Sequence, residues 1–194
     1  MAYTQKTNLT RTKIQKAFLD ILADKKFELI TINDIVKKAE INRSSFYRYY
    51  EDKYALLSEI EDRILAHMQE CRQEQEISQK TSQVDGFTEI LLSLNEYATA
   101  IDRLLSVNGD STFEIKLRKE ITKKFYSHLR VTEEDAPRAF LIKEFLTTII
   151  IRTFKYWTSG EAEMSAHELA SLIMDISLHG FAAAVSNSIP HHDQ

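Results

Sequence analysis

Apolar residues recur at helical spacing along almost the whole chain, and no stretch alternates as a strand would. Ile14, Phe18, Ile21 and Leu22 form the first stripe, which predicts a helix over about residues 8–24. Ile32, Ile35, Val36 and Ala39 form the second. It starts behind Thr31, whose hydroxyl can cap a helix, with Asp34 facing the positive helix end. Asn42 is a good cap for a short third helix, from which Ile41, Phe46 and Tyr50 turn inward. Asp52 can cap a long fourth helix from Lys53 to about Lys80, striped by Leu56, Leu57, Ile60, Ile64, Leu65 and Met68. Beyond Met68 the pattern fades into the polar run CRQEQEISQKTSQ.

The second half continues in the same way. Asp85–Gly86 opens a helix carrying Ile90, Leu91, Leu94, Tyr97, Ala98, Ile101, Leu104 and Leu105, which Asn108–Gly109 ends. Ser111 with Glu114 reads as a capping box for a helix to about Leu129. Thr132 to Asp135 followed by Pro137 opens another, which stops at Gly160. Ser165 with Glu168 is a second capping box, for a last helix to about Val185. The expected fold is all-α, a three-helix N-terminal domain at 1–52 followed by a larger helical bundle at 53–194.

Between Phe140 and Trp157 the apolar set is too broad for one stripe of a surface helix. A helix apolar on two sides is buried on two sides, one by its own core and one by a partner. The last two helices are therefore expected to form a two-fold homodimer as a four-helix bundle, through Ile149, Phe154, Leu172 and Ile176. Gly180 is expected to let the partner helix approach closely.

The candidate chemistry lies in TINDIVKKAEINRSSFYRYYEDK, residues 31–53, two short helices joined by a tight turn. This is the layout of a helix-turn-helix whose second helix enters the major groove of double-stranded DNA. With Phe46 and Tyr50 inward, Arg43, Ser44, Ser45, Tyr47 and Arg48 remain on the outer face. These side chains hydrogen-bond phosphates and base edges. Charge agrees with that reading once it is divided. Residues 1–50 carry ten Lys/Arg against five Asp/Glu, and residues 51–194 carry fifteen against twenty-four. A head at +5 on a body at −9 directs only the head at phosphate.

At this point the chain resembles the TetR family of bacterial one-component regulators. FYRYYEDKYALL is similar to that family's signature, an aromatic run followed by a Lys that opens the next helix. The resemblance is specific over residues 14–57. It implies phosphate contacts from Thr31, Tyr47, Tyr49 and Lys53, with Arg43, Ser44 and Ser45 facing the bases beside the cap Asn42. It also implies a dimer on a palindromic operator and a small-molecule effector held between the middle helices. Tyr97, Phe125 and Trp157 are the residues expected to line that site. Glu40 departs from the family, which usually has Gly in the turn, and a non-Gly residue at positive φ costs roughly 1 kcal/mol.

Other chemistry finds less support in the chain. Cys71 is the single cysteine, which excludes an intrachain disulfide and is compatible with a reducing, cytoplasmic setting. His67 stands four residues before it, a possible edge of a metal site, but no spacing supplies further ligands and no metal or other cofactor is expected. No apolar run has the length of a membrane span. Phosphate loops, dinucleotide fingerprints and nucleophile–base patterns are missing, so an all-α enzyme is the weaker alternative. The other alternative is a co-regulator whose helix-turn-helix binds protein and not DNA alone.

Overall fold

The computed structural model describes residues 2–78, 82–126, 133 and 135–180, with side-chain detail at 9–74, 82–123, 133 and 135–180. Among the described residues there are helices and turns but no strand. The order is α1 (Ala2–Leu22), α2 (Ile32–Lys38), α3 (Arg43–Tyr47), α4 (Lys53–Ser78), α5 (Gln83–Leu94), α6 (Ala98–Leu104), α7 (Ser111–Tyr126), α8 (Ala136–Thr158) and α9 (Ala166–His179). Short 3-10 turns lie at Phe27–Leu29 and Asn95–Tyr97. No described helix is long and apolar enough to cross a membrane.

Compactness divides the chain elsewhere than at residue 52. One unit holds residues 1–66 with 99–117, the other 67–98 with 118–194. In the first unit α1 packs on α2, and Ile14, Phe18, Leu22, Phe27, Ile35, Phe46, Leu56 and Ile64 are buried together with Ile101, Leu104 and Phe113. Phe18, Phe27 and Tyr54 stack edge to face in sequence, with centroids 6.1 and 5.3 Å apart. The corner between α6 and α7 is tied to the end of α1. Asn108 donates its side-chain amide to the Ala23 carbonyl at 3.0 Å, and its own carbonyl accepts from the Phe27 N–H at 2.8 Å. Gly109 is required there, since a Cβ on it would lie 2.0 Å from the Leu104 carbonyl oxygen. Lys116 on α7 donates to Glu61 Oε2 on α4 at 2.7 Å, and burial pushes the Glu61 carboxyl above its ordinary value.

In the second unit α9 packs against α5 and α8, around Leu91, Leu94, Ile150, Phe154, Leu169, Ala170 and Ile173. Glu120 is buried and meets Arg72, Lys123 and Gln69. Burial opposes its charge, but Lys123, Gln69 and Arg72 outweigh that and hold its carboxyl below the ordinary value.

Several boundaries differ from expectation. The helix expected to open at Asp85–Gly86 starts earlier, because Ser82 caps it by accepting from the Asp85 N–H at 3.1 Å. The single helix expected through Leu105 is broken at Asn95–Tyr97, where α5 tightens into a 3-10 turn before α6. Ser111 is not a cap but the first residue of α7, and Asp110 takes the cap by accepting from the Thr112 N–H at 2.6 Å. The expected ends near Leu129 and Val185 lie outside the described residues. The Ser165–Glu168 box forms as expected.

Candidate nucleic-acid interface

The region opens at Thr31, which caps α2 with both bonds of a capping box. Its hydroxyl accepts from the Asp34 N–H at 3.2 Å, and Asp34 Oδ2 accepts from the Thr31 N–H at 2.9 Å. Lys25 adds an ion pair at 2.7 Å. The Lys25 ammonium and the two Thr31 donors pull the Asp34 carboxyl down to about 2. The cap is therefore complete above the ordinary carboxylate range and is lost only as pH falls towards that value.

The turn follows. Ala39 ends α2, and Glu40 takes φ +54°, the left-handed conformation that its place in the turn implied. Asn42 then caps α3, its Oδ1 accepting from the Ser45 N–H at 2.8 Å and from the Ser44 hydroxyl at 2.7 Å. Phe46 is fully buried and Tyr50 nearly so. That fixes which way the short helix faces. Arg43, Ser44, Tyr47 and Arg48 are exposed, Ser45 and Tyr49 half-buried. Arg43 Nη2 lies 3.5 Å from the Tyr47 hydroxyl, so the two outermost polar groups of α3 share one edge.

Lys53 is placed differently from what the resemblance implies. Its ammonium donates to three backbone carbonyls of the first 3-10 turn and its exit, Phe27 at 2.8 Å, Glu28 at 2.9 Å and Ile30 at 2.9 Å. An ammonium has three donors, so the set is used up inside the protein. The charge also stands 4.7 Å from the Phe27 ring centroid and 5.5 Å from that of Tyr54.

One group of residues in this region was not foreseen. Glu59, on α4, collects hydrogen bonds from Gln15, Tyr50 and Arg63 and an ion pair from Arg11. Its donors come from three separate segments, and beyond Arg63 at i+4 no local spacing in the sequence announces such a meeting. The buried Gln15, lying on the apolar side of α1, was the one available signal.

The expected effector and dimer residues lie elsewhere. Tyr97 is half-buried, its ring 5.1 Å from that of His67. Trp157 is half-buried too, and its indole N–H donates to the Met164 carbonyl at 2.9 Å. Phe125 lies outside the residues with side-chain detail. Ile149, Leu172 and Ile176 are half-buried. Phe154 is only 6% exposed and belongs to the protomer's own core, not to an outward face. Gly180 is needed for φ +84° at the end of α9, and nothing stands within 4 Å of where its Cβ would be. It serves the backbone, and among the described residues nothing approaches closely enough to need the missing side chain. His67 Nε2 and Cys71 Sγ are 3.7 Å apart, but no group of three or more possible metal ligands exists among the described residues.

Comparison with known proteins agrees with this geometry. Residues 16–60 match the family described as "Bacterial regulatory proteins, tetR family", and residues 81–179 match "Transcriptional regulator C-terminal region". The chain is similar to a TetR transcriptional regulator of Streptococcus agalactiae 2603V, with 26% identity, a TM-score of 0.62, and coverage of 91% of this chain and 98% of that one. Over 60 residues, 30% of the chain, it is 45% identical to the HTH-type transcriptional regulator YxbF of Bacillus subtilis, of which the match spans 16%. Over 54 residues, 28% of the chain, it is 35% identical to the dhaKLM operon transcriptional activator DhaS of Lactococcus lactis, of which the match spans 29%. With its capped two-helix reader and its all-helical body, the chain belongs to the TetR family of DNA-binding helix-turn-helix transcriptional regulators.

Proposed function

We propose that this regulator binds a palindromic operator as a homodimer, represses from it, and is released by a small-molecule effector. The observation that carries the DNA contact is the orientation of α3. Burying Phe46 turns Arg43, Ser44, Tyr47 and Arg48 outward together. Arg43 and Ser44 are assigned to base edges with Ser45 at their margin, and Tyr47, Arg48 and Tyr49 to phosphate. Thr31 and Asn42 hold the ends of α2 and α3 while standing next to the backbone of the duplex. In role, residues 1–52 form the reader and 53–194 the effector and dimer domain.

The dimer reading is supported by α8. Leu141, Ile142, Phe145 and Tyr156 are all more than half exposed there, with the half-buried Ile149 between them at helical spacing. Such a row is an interface waiting for an equal surface. A two-fold dimer places two recognition helices on half-sites about 34–36 Å apart. An effector among the middle helices, near Tyr97, Phe125 and Trp157, releases DNA by favouring a spacing that misses them.

The test is selection of genomic fragments by the purified protein at near-physiological salt, beside an Arg43→Ala/Tyr47→Ala double variant. The wild type is expected to enrich a palindrome. The variant is expected to bind it about 100-fold more weakly, since each deleted side chain is worth about 1–3 kcal/mol on DNA. Enrichment by neither protein would overturn the reading in favour of a protein-interaction module. DhaS is described as an activator, so transcription from the selected operator, with and without the protein, decides the sign.

A further inference from the structure

We infer that Glu59 is a positioning residue that sets the pitch of the recognition helix, and so the base specificity of the head. The inference rests on the reading of α3 as that helix.

The helix α3 has only five residues, and Phe46 is its one buried side chain. So short a ladder does not fix its own direction. The next inward anchor is Tyr50, just past the end of α3, whose ring lies 5.7 Å from that of Phe46 and is 3% exposed. The Tyr50 hydroxyl donates to Glu59 Oε1 at 3.3 Å and accepts from Gln15 Nε2 at 3.0 Å. Gln15 Nε2 also donates to Glu59 Oε1, at 2.8 Å, and Gln15 is itself 8% exposed. Arg63 reaches the same oxygen at 3.2 Å. Arg11 takes Glu59 Oε2 at 3.3 Å while its guanidinium stands 5.9 Å from the Tyr50 ring centroid.

An ionised carboxylate accepts about four hydrogen bonds and donates none. Three of the four donors meet at Glu59 Oε1 and Arg11 pairs with Oε2, and they come from α1, from the exit of α3 and from α4. Removing the acceptor leaves the buried Tyr50 hydroxyl with no acceptor and the Gln15 amide with the Tyr50 oxygen alone, which shifts Tyr50 and with it Phe46. A glutamine in its place offers one oxygen where two are used.

The sign of the effect separates this role from others. Glu59 is a negative charge in the basic DNA-facing domain, so charge alone predicts that Glu59→Gln tightens binding to every duplex. Positioning predicts that it weakens binding to the selected sequence while leaving non-specific binding equal or tighter.

The experiment titrates wild type, Glu59→Gln and Tyr50→Phe on the operator enriched by selection and on a scrambled duplex of the same length. Salt is held constant, and the temperature is one at which circular dichroism shows all three fully folded. The expected result for Glu59→Gln is a specificity ratio about tenfold lower, equal to a large part of one base contact. Tyr50→Phe removes one hydroxyl with no change of charge and is expected to move the ratio the same way by less. A lowered unfolding temperature with an unchanged ratio would overturn the inference, leaving Glu59 a stabilising residue only. So would operator and scrambled affinities that rise together. A wild type with no preference between the two duplexes would overturn the recognition-helix reading itself, and this inference with it.

Discussion

Among the described residues the outward face of α3 and the outward face of α8 are both exposed, and they suit opposite partners. On α3 the exposed side chains are Arg43, Ser44, Tyr47 and Arg48, rich in donors. On α8 they include Phe140, Leu141, Ile142 and Phe145, which have nothing to donate. The first face is well solvated and gains from a ligand that supplies acceptors and negative charge. The second gains from leaving water, whatever the charge of its partner. The contacts proposed for the two faces therefore differ in kind, one directional and salt-sensitive, the other area-driven and salt-tolerant.

The comparison breaks hardest at Phe145, which is 68% exposed. Phe145→Glu removes an aromatic anchor from each of two symmetric positions and sets two like charges near each other. The expected outcome is a dimer at least about 100-fold weaker, from roughly 2–3 kcal/mol of burial removed per side. Sedimentation velocity across a concentration series reads it, and a monomeric wild type would remove the α8 face from consideration. Phe154→Ala, further along the same helix, is expected to act on stability instead, at about 3–5 kcal/mol, because that ring is already inside the protomer.

A smaller effect sharpens the other side of the comparison. Lys53→Met keeps length and removes the ammonium that holds three carbonyls. The expected loss is about 1–3 kcal/mol in urea unfolding, with the dependence of operator affinity on salt unchanged. A salt slope shallower by about 0.9 for each phosphate no longer neutralised, with stability intact, would return Lys53 to the phosphate role that the resemblance implies. The smallest effect is at the turn. Glu40→Gly relieves a left-handed glutamate but loosens the unfolded chain, and the two nearly cancel. A gain of at most about 1 kcal/mol is expected in thermal unfolding, and a clear loss would mean that the Glu40 side chain has work of its own.

What could be read from the chain beforehand was what is local. The Thr31 cap with Asp34 at the helix start, the Ser165–Glu168 box and the Asn42 cap all formed where short spacings placed them, and Glu40 is left-handed at the place where the resemblance implies a Gly. A cap needs only a few neighbouring residues, and these stand side by side in the sequence. Boundaries moved where two local signals competed, as at Asp110 against Ser111 and at Ser82 against Asp85–Gly86. What stayed illegible was long-range. Glu59 with Gln15 and Arg11, Lys53 with the Phe27 turn, and Glu120 with Arg72 join residues from 23 to 48 positions apart. Their spacing obeys the fold, not the helix period. Phe154 was misplaced because periodicity on α8 marks two apolar sides without saying which one the protomer keeps.

Gly109 has a consequence for how this chain can vary through descent. Every other residue type carries the carbon that would collide with the Leu104 carbonyl. No codon but a glycine codon therefore leaves intact the corner that fastens Asn108 to Ala23 and Phe27. A surface position that looks free to drift is closed to it, while Val107 nearby, almost fully exposed, is open to nearly any replacement.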